Sequence, residues 1–344
     1  MRILLVSGGS IGHIAPLVAI WRALERLAPG SEALLLCADR EEELLFCQAE
    51  GVRATALARP RLGIGMGISL LRNARAAKAA LREFAPDVVM SKGGAVSIPT
   101  CMLAWQQGIP VILHESDALM GRANRLLARY AHRVCLGHEG ACPQRDDAVV
   151  TGNPVRADVY AGSADRAREI TGFRDDKPLL LVLGGSQGAA ALNNAVGHHI
   201  DALLADWNVA HLTGYGKAGA GERAGYWARP FAQGELPHLY TLATAAVSRA
   251  GAGAIAELAA NAVPSLLVPL RGLAQDHQWH NANAAQAEGW CRILEQEALA
   301  TLPEALRALA ADREALVKKA DASLRRSRTA AEHIATVVLR AERG

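Results

Sequence analysis

Short apolar runs alternate along the chain with longer amphipathic stretches. In the first half, the apolar runs predict buried strands and the stretches between them predict helices. The predicted strands cover residues 3–6, 33–37, 87–90, 111–114 and 133–136, and the predicted helices cover residues 16–27, 72–84, 98–107 and 124–131. Apolar strands that alternate with helices are typical of a parallel sheet covered on both faces. The pattern therefore predicts an α/β domain.

The same pattern starts again after a turn-rich segment at residues 151–156. It predicts strands at residues 179–183, 209–213, 245–248 and 265–268, a helix at residues 191–204 and a helical stretch at residues 304–343. A length of 344 residues is comfortable for two domains. We predict two doubly wound parallel-sheet domains at residues 1–158 and 159–325. A helix at about residues 326–344 follows, for which packing back on the first domain is one option.

Composition narrows the classes of function. Hydrophobic residues make up 51% and charged residues 21% of the chain, as in a globular protein. A net charge of +3 and only 4% aromatic residues, without a nucleic-acid-binding motif, indicate no nucleic-acid partner. The six cysteines show neither a C-x-x-C pair nor zinc-ligand spacing, so we expect free thiols. No run predicts a signal peptide or a spanning helix, and we expect a cytosolic or peripheral membrane protein.

The first glycine-rich loop, at residues 7–16, reads SGGSIGHIAP. It follows a predicted strand and opens a helix, with Pro16 in the first turn. Glycines let the backbone approach a ligand, and a helix N-terminus presents free N–H groups to anions. The alternative is a tight turn that binds nothing. His13 at the end of the loop has the near-neutral pKa of a general base, although a lone histidine is more often structural.

A second glycine-rich loop, GGSQGAAALN at residues 184–193, follows an apolar strand in the second half. Ser186 and the neighbouring N–H groups are suited to a diphosphate. The loop lacks the lysine of a P-loop, which disfavours phosphoryl transfer from ATP. Two such loops in separate halves fit an enzyme with its site in a cleft better than a one-domain binding module.

Three further polar segments follow predicted strands. In RAGAGAIAEL at residues 249–258, Glu257 is placed to accept ribose hydroxyls, or is a solvated glutamate near a helix start. The cluster DHQWHNAN at residues 276–283 suits sugar hydroxyls; its two histidines make a metal pair conceivable, but no third ligand is evident. In the stretch at residues 112–125, Glu115 and Asp117 are either a carboxylate pair or polar groups at a helix start.

The segment at residues 91–100, SKGGAVSIPT, is another strand-to-helix turn. Its Lys92 and Ser97 are available to phosphate. Taken in order, seven motifs of the chain resemble the MurG family of bacterial N-acetylglucosamine transferases, between about residue 2 and residue 295. These motifs are SGGSIGHIAP, SKGGAVSIP, HESDALMGRANR, TGNPVR, LGGSQGA, SRAGAGAIAE and DHQWHNA.

The resemblance implies a fold and an activity. The fold is GT-B, with two Rossmann-like domains facing a cleft. The activity is inverting transfer of N-acetylglucosamine from UDP-N-acetylglucosamine to undecaprenyl-diphospho-muramoyl-pentapeptide, the step from lipid I to lipid II in peptidoglycan synthesis. No cofactor is implied, and no DxD-like motif marks a metal site in the second half, so a metal-independent mechanism is expected.

The family's functional residues fall on matching positions of this chain. The resemblance implies His13, Glu115 and Asp117 as catalytic candidates, and Ser10, Gly12, Gly93, Gly94 and Asn124 as acceptor-binding candidates. It implies the donor-binding candidates Arg156, Gly185, Ser186, Gln187, Phe231, Ala252, Gly253, Glu257, Gln278 and Asn281.

Some positions depart from the family pattern. Ile11 stands where the family has glycine, which is expected to narrow the room for the acceptor diphosphate. Gly253 stands where a larger residue usually contacts the donor, and Ser116 with Asp117 replaces the Gln-Asn of many members. These departures leave the acceptor more open than the donor class. A related GT-B transferase acting on another glycolipid or metabolite is therefore the alternative function.

Two alternatives belong to other classes. One is a non-catalytic UDP-sugar-binding subunit, against which His13, Glu115 and Glu257 argue. The other is an epimerase with the same fold, which the segment at residues 61–82 does not favour. That segment carries five apolar residues flanked by basic ones: Ile64, Met66, Ile68, Leu70 and Leu71 beside Arg61, Arg72, Arg75, Lys78 and Arg82.

A basic and apolar surface of this kind is able to dock on anionic lipid. The alternative is a flexible loop followed by an ordinary amphipathic helix. The resemblance favours docking, because members of the family associate peripherally with the cytoplasmic face of the plasma membrane. It also implies a lipid-linked acceptor and proteins of cell-wall synthesis complexes as partners.

Overall fold

A computed structural model describes residues 1–8, 10–59, 65–174, 176–185, 188–217, 219–232, 234–272 and 274–341, apart from the side chains of residues 65, 66 and 274. The chain forms two compact units. The first comprises Met1–Arg156 with Thr329–Gly344, and the second comprises Ala157–Arg328. No helix among the described residues has both the length and the apolar character needed to cross a bilayer.

The first unit contains a parallel sheet of seven strands within the described residues. The strands are β1 (Arg2–Val6), β2 (Glu32–Ala38), β3 (Ala54–Leu57), β4 (Val88–Ser91), β5 (Val111–Glu115), β6 (Arg133–Leu136) and β7 (Val149–Val150), and their order is β3-β2-β1-β4-β5-β6-β7. The helices are α1 (Ile11–Leu27), α2 (Glu41–Ala49), α3 (Gly65–Phe84), α4 (Ile98–Gln106) and α5 (Arg122–Leu127). The strand order reverses between β1 and β4, which is where ligands bind in open α/β sheets.

The second unit contains a parallel sheet of six strands, again counted over the described residues. The strands are β8 (Leu179–Leu183), β9 (Asn208–Leu212), β10 (Tyr226–Arg229), β11 (Ala243–Ser248), β12 (Ser265–Leu267) and β13 (Cys291–Ile293), in the order β10-β9-β8-β11-β12-β13. The helices are α6 (Ala164–Thr171), α7 (Ala190–His198), α8 (Ile200–Asp206), α9 (Leu236–Leu242), α10 (Ala252–Ala260), α11 (His277–Ala287), α12 (Leu302–Ala311) and α13 (Arg313–Leu339). Here the strand order reverses between β8 and β11.

Alternation along β1 shows how the first sheet is buried on both faces. Successive side chains of a strand point to opposite faces. Ile3 and Leu5 lie in one hydrophobic core, together with residues of α1, while Leu4 and Val6 lie in a second core on the other face. All of these residues are buried. An apolar run without polar interruption is therefore what this position in the sheet requires.

The end of α13 belongs to the core of the first unit. Ile334, Ala335 and Val338 are buried in the same hydrophobic cluster as Ile3 and Leu5 of β1. Spacings of one, three and four residues place these side chains on one side of the helix. The C-terminal part of the chain thus completes the packing on one face of the N-terminal sheet.

Several helix boundaries differ from those predicted. Helix α1 begins at Ile11, so Pro16 is its sixth residue and not part of its first turn. Proline lacks an N–H group and leaves the carbonyl of Gly12 without its helical hydrogen bond. The burial of Ile14 and Leu17 on either side offsets this loss. Helix α3 begins at Gly65, ahead of the predicted start at residue 72.

Two predicted helices are each divided. The helix predicted at residues 191–204 is interrupted at His199 between α7 and α8, and the stretch at residues 304–343 forms α12 and α13. The predicted strands are confirmed with end points shifted by one or two residues. The apolar pattern did not predict β3, β7, β10 and β13. All four are short strands at the edges of their sheets.

Truncation of Ile334 tests the packing of α13 on the first unit. We expect Ile334→Ala to lower the free energy of unfolding by about 2–5 kcal/mol, because it leaves a cavity in a closed core. His333 is exposed on the same turn, and His333→Ala should change stability by no more than about 0.5 kcal/mol. Urea unfolding of both variants measures the difference. Equal effects would contradict the packing of this helix end.

Candidate active site

The loops that follow β1 and β4 touch at the point where the strand order reverses. A Cβ atom on Gly94 would lie 3.1 Å from the backbone oxygen of Gly8, and Gly94 has a φ of +84°. A Cβ on Gly8 would lie 3.0 Å from the backbone nitrogen of Ala38. The two loops therefore come close together at Gly94, where the positive φ favours glycine and leaves little room for a side chain. The predicted acceptor-binding residues Gly93 and Gly94 lie in the second of these loops, and Gly12 lies in the first turn of α1.

Glu115, at the end of β5, holds the next loop together. Its Oε1 accepts a hydrogen bond from the backbone N–H of Asp117 at 2.9 Å, and its Oε2 accepts from the N–H of Gly121 at 3.0 Å and from Nδ2 of Asn124 at 2.9 Å. Burial, and secondly the charge of Asp117, raise the pKa of Glu115, while these donors oppose the rise. The geometry makes Glu115 a brace for the loop, with both oxygens engaged by protein donors.

Asn124 connects this brace to the glycines after β4. Its side chain is buried, and Nδ2 also donates to the carbonyl of His114 at 3.3 Å. A Cβ on Gly93 would lie only 1.8 Å from Oδ1 of Asn124, and Gly93 has a φ of +82°. A side chain at position 93 is therefore excluded twice, by the backbone conformation and by Asn124. Asn124 supports the acceptor-side loops from below the surface.

Lys92, which the sequence analysis made available to phosphate, is a buried residue. Its Nζ donates to Nδ1 of His114 at 2.8 Å and to the hydroxyl of Ser116. Loss of hydration lowers the pKa of Lys92 to about 8, although the charges of Glu115 and Asp117 act in the opposite direction. The prediction that the Lys92 side chain is available to phosphate is therefore wrong, because the surrounding side chains already bind its ammonium group.

His114 is the neutral partner in this arrangement. Its Nε2 lies 3.0 Å from the carbonyl oxygen of Gly152, which can only accept, so Nε2 carries the proton and Nδ1 accepts from Lys92. Burial, and then the charge of Lys92, hold the pKa of His114 well below its usual value. Ser97, the other predicted phosphate contact, is also buried, and its hydroxyl donates to the carbonyl of Gly94 at 2.8 Å. It too is a structural group.

His13 lies in the first turn of α1, beside these loops. Ser10 Oγ and Nδ1 of His13 are 3.1 Å apart, so proton transfer with a substrate would use Nε2. The surface of the His13 side chain is exposed, but the surrounding protein removes part of its hydration. This loss of hydration, and secondly the charge of Lys92, lower the pKa of His13, whereas the charge of Asp117 raises it. The imidazole is thus neutral at neutral pH and able to accept a proton. Ile11 is half-buried against the core, which gives that departure a packing role.

In the second unit, the glycine-rich loop after β8 also depends on close backbone approach. A Cβ on Gly188 would lie 2.2 Å from the carbonyl oxygen of Thr213, and Gly188 has a φ of +67°. Gly185 is exposed with a φ of +79°. The predicted diphosphate contacts Ser186 and Gln187 lie outside the described residues. The loop leads directly into the N-terminus of α7.

Lys217 is a residue beside this loop that sequence reasoning missed. Its Nζ donates to the carbonyl of Gly188 at 2.9 Å. The loop has no lysine of its own, but the turn after β9 brings a cation next to it. Nothing in the sequence pointed to this contact, because the two residues are 29 positions apart.

A buried polar network holds the turn after β9 in place. Nδ2 of Asn193 donates to the carbonyl oxygen of Thr213 at 2.9 Å. The other amide atom of Asn193, Oδ1, therefore accepts from Nε2 of His211 at 3.0 Å. Nδ1 of His211 then accepts from the hydroxyl of Tyr226 at 2.8 Å, and that hydroxyl accepts from the N–H of Ala220 at 3.0 Å. Every member has a donor or acceptor of the right kind. Burial lowers the pKa of His211 to about 4, so the ring is neutral.

An aromatic pair stands at the ends of β9 and β10. The rings of Tyr215 and Phe231 are stacked with their centroids 5.7 Å apart and an interplanar angle of 21°. Tyr215 is 70% exposed and stands between Gly214 and Gly216. Phe231 is a predicted donor-binding residue; Tyr215 was not predicted. Gln233, next to them, lies outside the described residues.

The donor candidates after β11 are carried by α10 and α11. Ala252 and Gly253 form the first turn of α10, and a Cβ on Gly253 would have no atom within 4 Å. Glu257 lies further along the same helix, where its Oε2 accepts from the hydroxyl of Tyr240 at 2.8 Å. Asn281 donates to the carbonyl of Ala250 at 3.3 Å. Gly253 is exposed and, among the described residues, faces open space.

Gln278 and Arg156 both have partners within the protein. Oε1 of Gln278 accepts from the N–H of Leu270 at 3.0 Å, which ties the start of α11 to the loop after β12. Arg156 belongs to the first unit, where its guanidinium pairs with Glu50 and lies over the ring of Phe46 at 5.4 Å. Within its own unit, Arg156 is thus placed against α2.

No group of three or more His, Cys, Asp or Glu side chains suited to a metal ion occurs in the part of the chain that the structure describes. The chemistry that the two sets of loops offer is that of polar groups and helix N-termini: anion binding at α7 and α10, hydroxyl recognition by Glu257, and proton transfer at His13.

The model of the glycosyltransferase family 28 N-terminal domain matches residues 3–136, and that of the C-terminal domain matches residues 179–336. A UDP-N-acetylglucosamine–N-acetylmuramyl-(pentapeptide) pyrophosphoryl-undecaprenol N-acetylglucosamine transferase of Clostridium kluyveri is 34% identical over 308 residues, 86% of this chain and 87% of the relative. The enzyme of the same name from Clostridium tetani is 32% identical over 87% of this chain and 86% of its own.

Solved structures show the same fold. Acinetobacter baumannii MurG has a TM-score of 0.75 at 23% identity, with 99% of both chains covered. A UDP-GlcNAc 2-epimerase from Neisseria meningitidis, bound to UDP-GlcNAc, has a TM-score of 0.73 at 15% identity over 98% of this chain and 99% of its own. At these identities the likeness concerns the fold alone.

Two doubly wound units with glycine-rich loops at their points of strand reversal, matched by the two glycosyltransferase family 28 models, define a glycosyltransferase with the GT-B fold. The chain belongs, within glycosyltransferase family 28, to the family of UDP-N-acetylglucosamine–N-acetylmuramyl-(pentapeptide) pyrophosphoryl-undecaprenol N-acetylglucosamine transferases. The resemblance and the GT-B fold predicted from the sequence are confirmed. The roles of the site residues remain predictions; the structure gives only their hydrogen-bond and ion-pair partners within the protein.

The network around His211 predicts a loss of stability in acid. An unfolded histidine binds a proton near pH 6.5, and the folded ring does so only near pH 4. Its contribution is therefore complete above pH 6.5 and is lost as the pH falls towards 4. Between pH 7 and pH 5 this amounts to about 2 kcal/mol of unfolding free energy. In urea unfolding, His211→Gln should lose this part of the slope, whereas the exposed control His198→Gln should keep it.

Proposed function

We propose that this protein transfers N-acetylglucosamine from UDP-N-acetylglucosamine to undecaprenyl-diphospho-muramoyl-pentapeptide with inversion, converting lipid I to lipid II in peptidoglycan synthesis. The observation that carries the proposal is the match to relatives of that name over 86–87% of the chain at 32–34% identity. The site geometry is compatible with it, because the two units offer separate sets of loops for the two substrates.

The second unit is the proposed donor domain. The diphosphate of the donor would bind the loop around Gly185 and the N-termini of α7 and α10, where free N–H groups stabilise anions. Lys217 adds a positive charge beside the first of these. Glu257 would accept the ribose hydroxyls, and Gln278 with Asn281 would face the sugar. The stacked rings of Tyr215 and Phe231 provide an apolar surface for the uracil base.

The first unit is the proposed acceptor domain. The diphosphate of the lipid would bind the glycine-rich loops after β1 and β4. His13 would accept the proton of the attacking hydroxyl through Nε2, since its lowered pKa keeps the ring neutral. Glu115 would act through the loop that it braces, and Asp117 would stand near the sugar. The leaving UDP would be stabilised by the helix N-termini of the donor domain.

A direct assay tests this proposal. Purified protein is incubated with labelled UDP-N-acetylglucosamine and a lipid I analogue. His13→Ala should lower kcat by about 10²–10⁴-fold, the usual contribution of a general base. Glu257→Ala should raise the KM for the donor by at least about tenfold, because a carboxylate that binds two hydroxyls is lost.

Two comparisons sharpen this assay. His132 is exposed just before β6, at the amino end of the strands, and His132→Ala should leave both constants unchanged. A short-chain glycolipid is offered as a second acceptor, because the open space at Gly253 motivates a related transferase with another substrate. Transfer to the glycolipid but not to the lipid I analogue would favour that alternative. UDP binding without any transfer would favour a binding subunit.

We also propose that helix α3 docks the protein on the cytoplasmic face of the membrane, where proteins of cell-wall synthesis complexes are further partners. Ile68 and Leu71 are 61% and 57% exposed on this helix. Arg72, Arg75 and Lys78 are exposed at spacings of three residues. Arg72 follows Ile68, and Arg75 follows Leu71, by four residues, so that the basic residues continue the same face. Exposed apolar groups next to cations suit an anionic lipid surface. Residues 61–64 of the predicted docking segment lie outside the described residues, as does the side chain of Met66.

Vesicle sedimentation tests the docking surface. Leu71→Asp should lower binding to vesicles containing anionic lipid by about tenfold, because it replaces an apolar contact with a like charge. Leu45 on α2 is 56% exposed, nearly the same as Leu71, and Leu45→Asp is the matched control. Transfer to a water-soluble acceptor analogue should be unchanged in both. Equal loss of vesicle binding in the two variants would contradict a specific role for α3.

A further inference from the structure

We infer that Tyr240 is a positioning residue for the donor nucleotide, acting through Glu257. The inference rests on the proposed function, in which Glu257 accepts the ribose hydroxyls of the donor. The contact itself is direct. The Tyr240 hydroxyl donates to Oε2 of Glu257 at 2.8 Å, across 17 positions of the chain and between helices α9 and α10.

The environment of Tyr240 makes it a permanent donor. Its side chain is 2% exposed, inside the second unit. Burial, followed by the charge of Glu257 and the hydrogen bond to it, holds the pKa of Tyr240 well above its usual value. The phenol therefore stays protonated at every pH at which the protein works. A carboxylate is the acceptor, so the bond is of the stronger, charge-assisted kind.

A single segment of backbone fixes the two helices that carry this pair. A Cβ on Gly162 would lie 2.1 Å from the carbonyl oxygen of Pro237, in the first turn of α9. The N–H of Ser163 donates to the ring of His238 in the same turn at 3.0 Å. Helix α9 is therefore held tightly against residues 162–163.

The end of α10 is held by the same segment. The side chain of Asn261 donates to the carbonyl of Glu257 at 2.9 Å and to that of Val159 at 3.4 Å. The residues from 159 to 163 thus contact both α9 and α10. As a result, the distance between the Tyr240 hydroxyl and the Glu257 carboxylate is set by three neighbouring elements and not by the rotamer of Glu257 alone.

Orientation matters because a glutamate side chain has three rotatable bonds. Glu257 is only half-buried, so packing does not immobilise its carboxylate. The bond from Tyr240 occupies one lone pair of Oε2 and thereby restricts the rotation of the carboxylate. A pre-oriented acceptor loses less entropy on binding than a mobile one. Tyr240 should therefore increase donor affinity without contacting the reacting atoms.

The test compares UDP with 2′-deoxyuridine 5′-diphosphate, which differs only in one ribose hydroxyl. Tyr240→Phe removes one oxygen and leaves the ring to fill the same space. We expect the KM for UDP-N-acetylglucosamine to rise about tenfold, with kcat changed by less than about twofold. By titration calorimetry, the preference of the wild type for UDP over the deoxy analogue should shrink at least about threefold in this variant.

Tyr226→Phe is the matched control. Tyr226 is also buried in the second unit and also loses a side-chain hydrogen bond, but to His211 and not to Glu257. It should lower the thermal midpoint by about 2–4 °C while keeping the wild-type preference for UDP. In a Glu257→Gln background, Tyr240→Phe should have little further effect on that preference, since the carboxylate it orients is absent.

The outcomes separate the two levels of the argument. If the wild type distinguishes UDP from the deoxy analogue and Tyr240→Phe distinguishes them equally well, the positioning role is overturned and the proposed function stands. A change in thermal midpoint without a change in preference has the same meaning. If the wild type binds neither nucleotide, the role proposed for Glu257 is wrong, and both the inference and the proposed function fail.

Discussion

A parallel sheet with helices on both faces uses nearly every strand side chain for packing, and this constraint governs the whole protein. Ile3 to Val6 of β1 are divided between two cores, and the five residues of β8 are all buried. Polar chemistry is then confined to the loops at the carboxyl ends of the strands. Those loops have few apolar contacts of their own, so buried polar groups and glycines must hold them in shape.

The two units hold these loops in different ways, the first with charged groups and the second with neutral ones. In the first, an anionic carboxylate, Glu115, gathers three N–H donors, and the buried cation Lys92 lies in the same cluster. In the second, a neutral histidine, His211, links an amide to a phenol in a network that needs no charge. Both place a close glycine contact next to the brace, at Gly93 and at Gly188. Similar glycine-rich loops in the two units are therefore held by different kinds of support.

The strands and the glycine-rich loops could be predicted because their signals are local: an apolar run, or several small residues in sequence. The site residues were harder. Glu115 was recognised as important, but its engagement by backbone donors is a property of the folded loop. Tyr240 and Lys217 gave no signal, because each acts on a residue 17 or 29 positions away. The start of α1 at Ile11 was missed because burial of neighbouring side chains outweighs the proline propensity there. Nothing in the structure explains the early start of α3 at Gly65.

The place of α13 has a consequence for how the chain folds during synthesis. Ile334 and Val338 share one core with Ile3 and Leu5 of β1, so this core joins segments that lie on either side of the second unit in the chain. That face of the first sheet is therefore fully covered only after the second unit, which has its own sheet and core, has been synthesised. Domains usually fold in the order in which they emerge. In this protein the core of the N-terminal unit is completed only after the second unit has been synthesised.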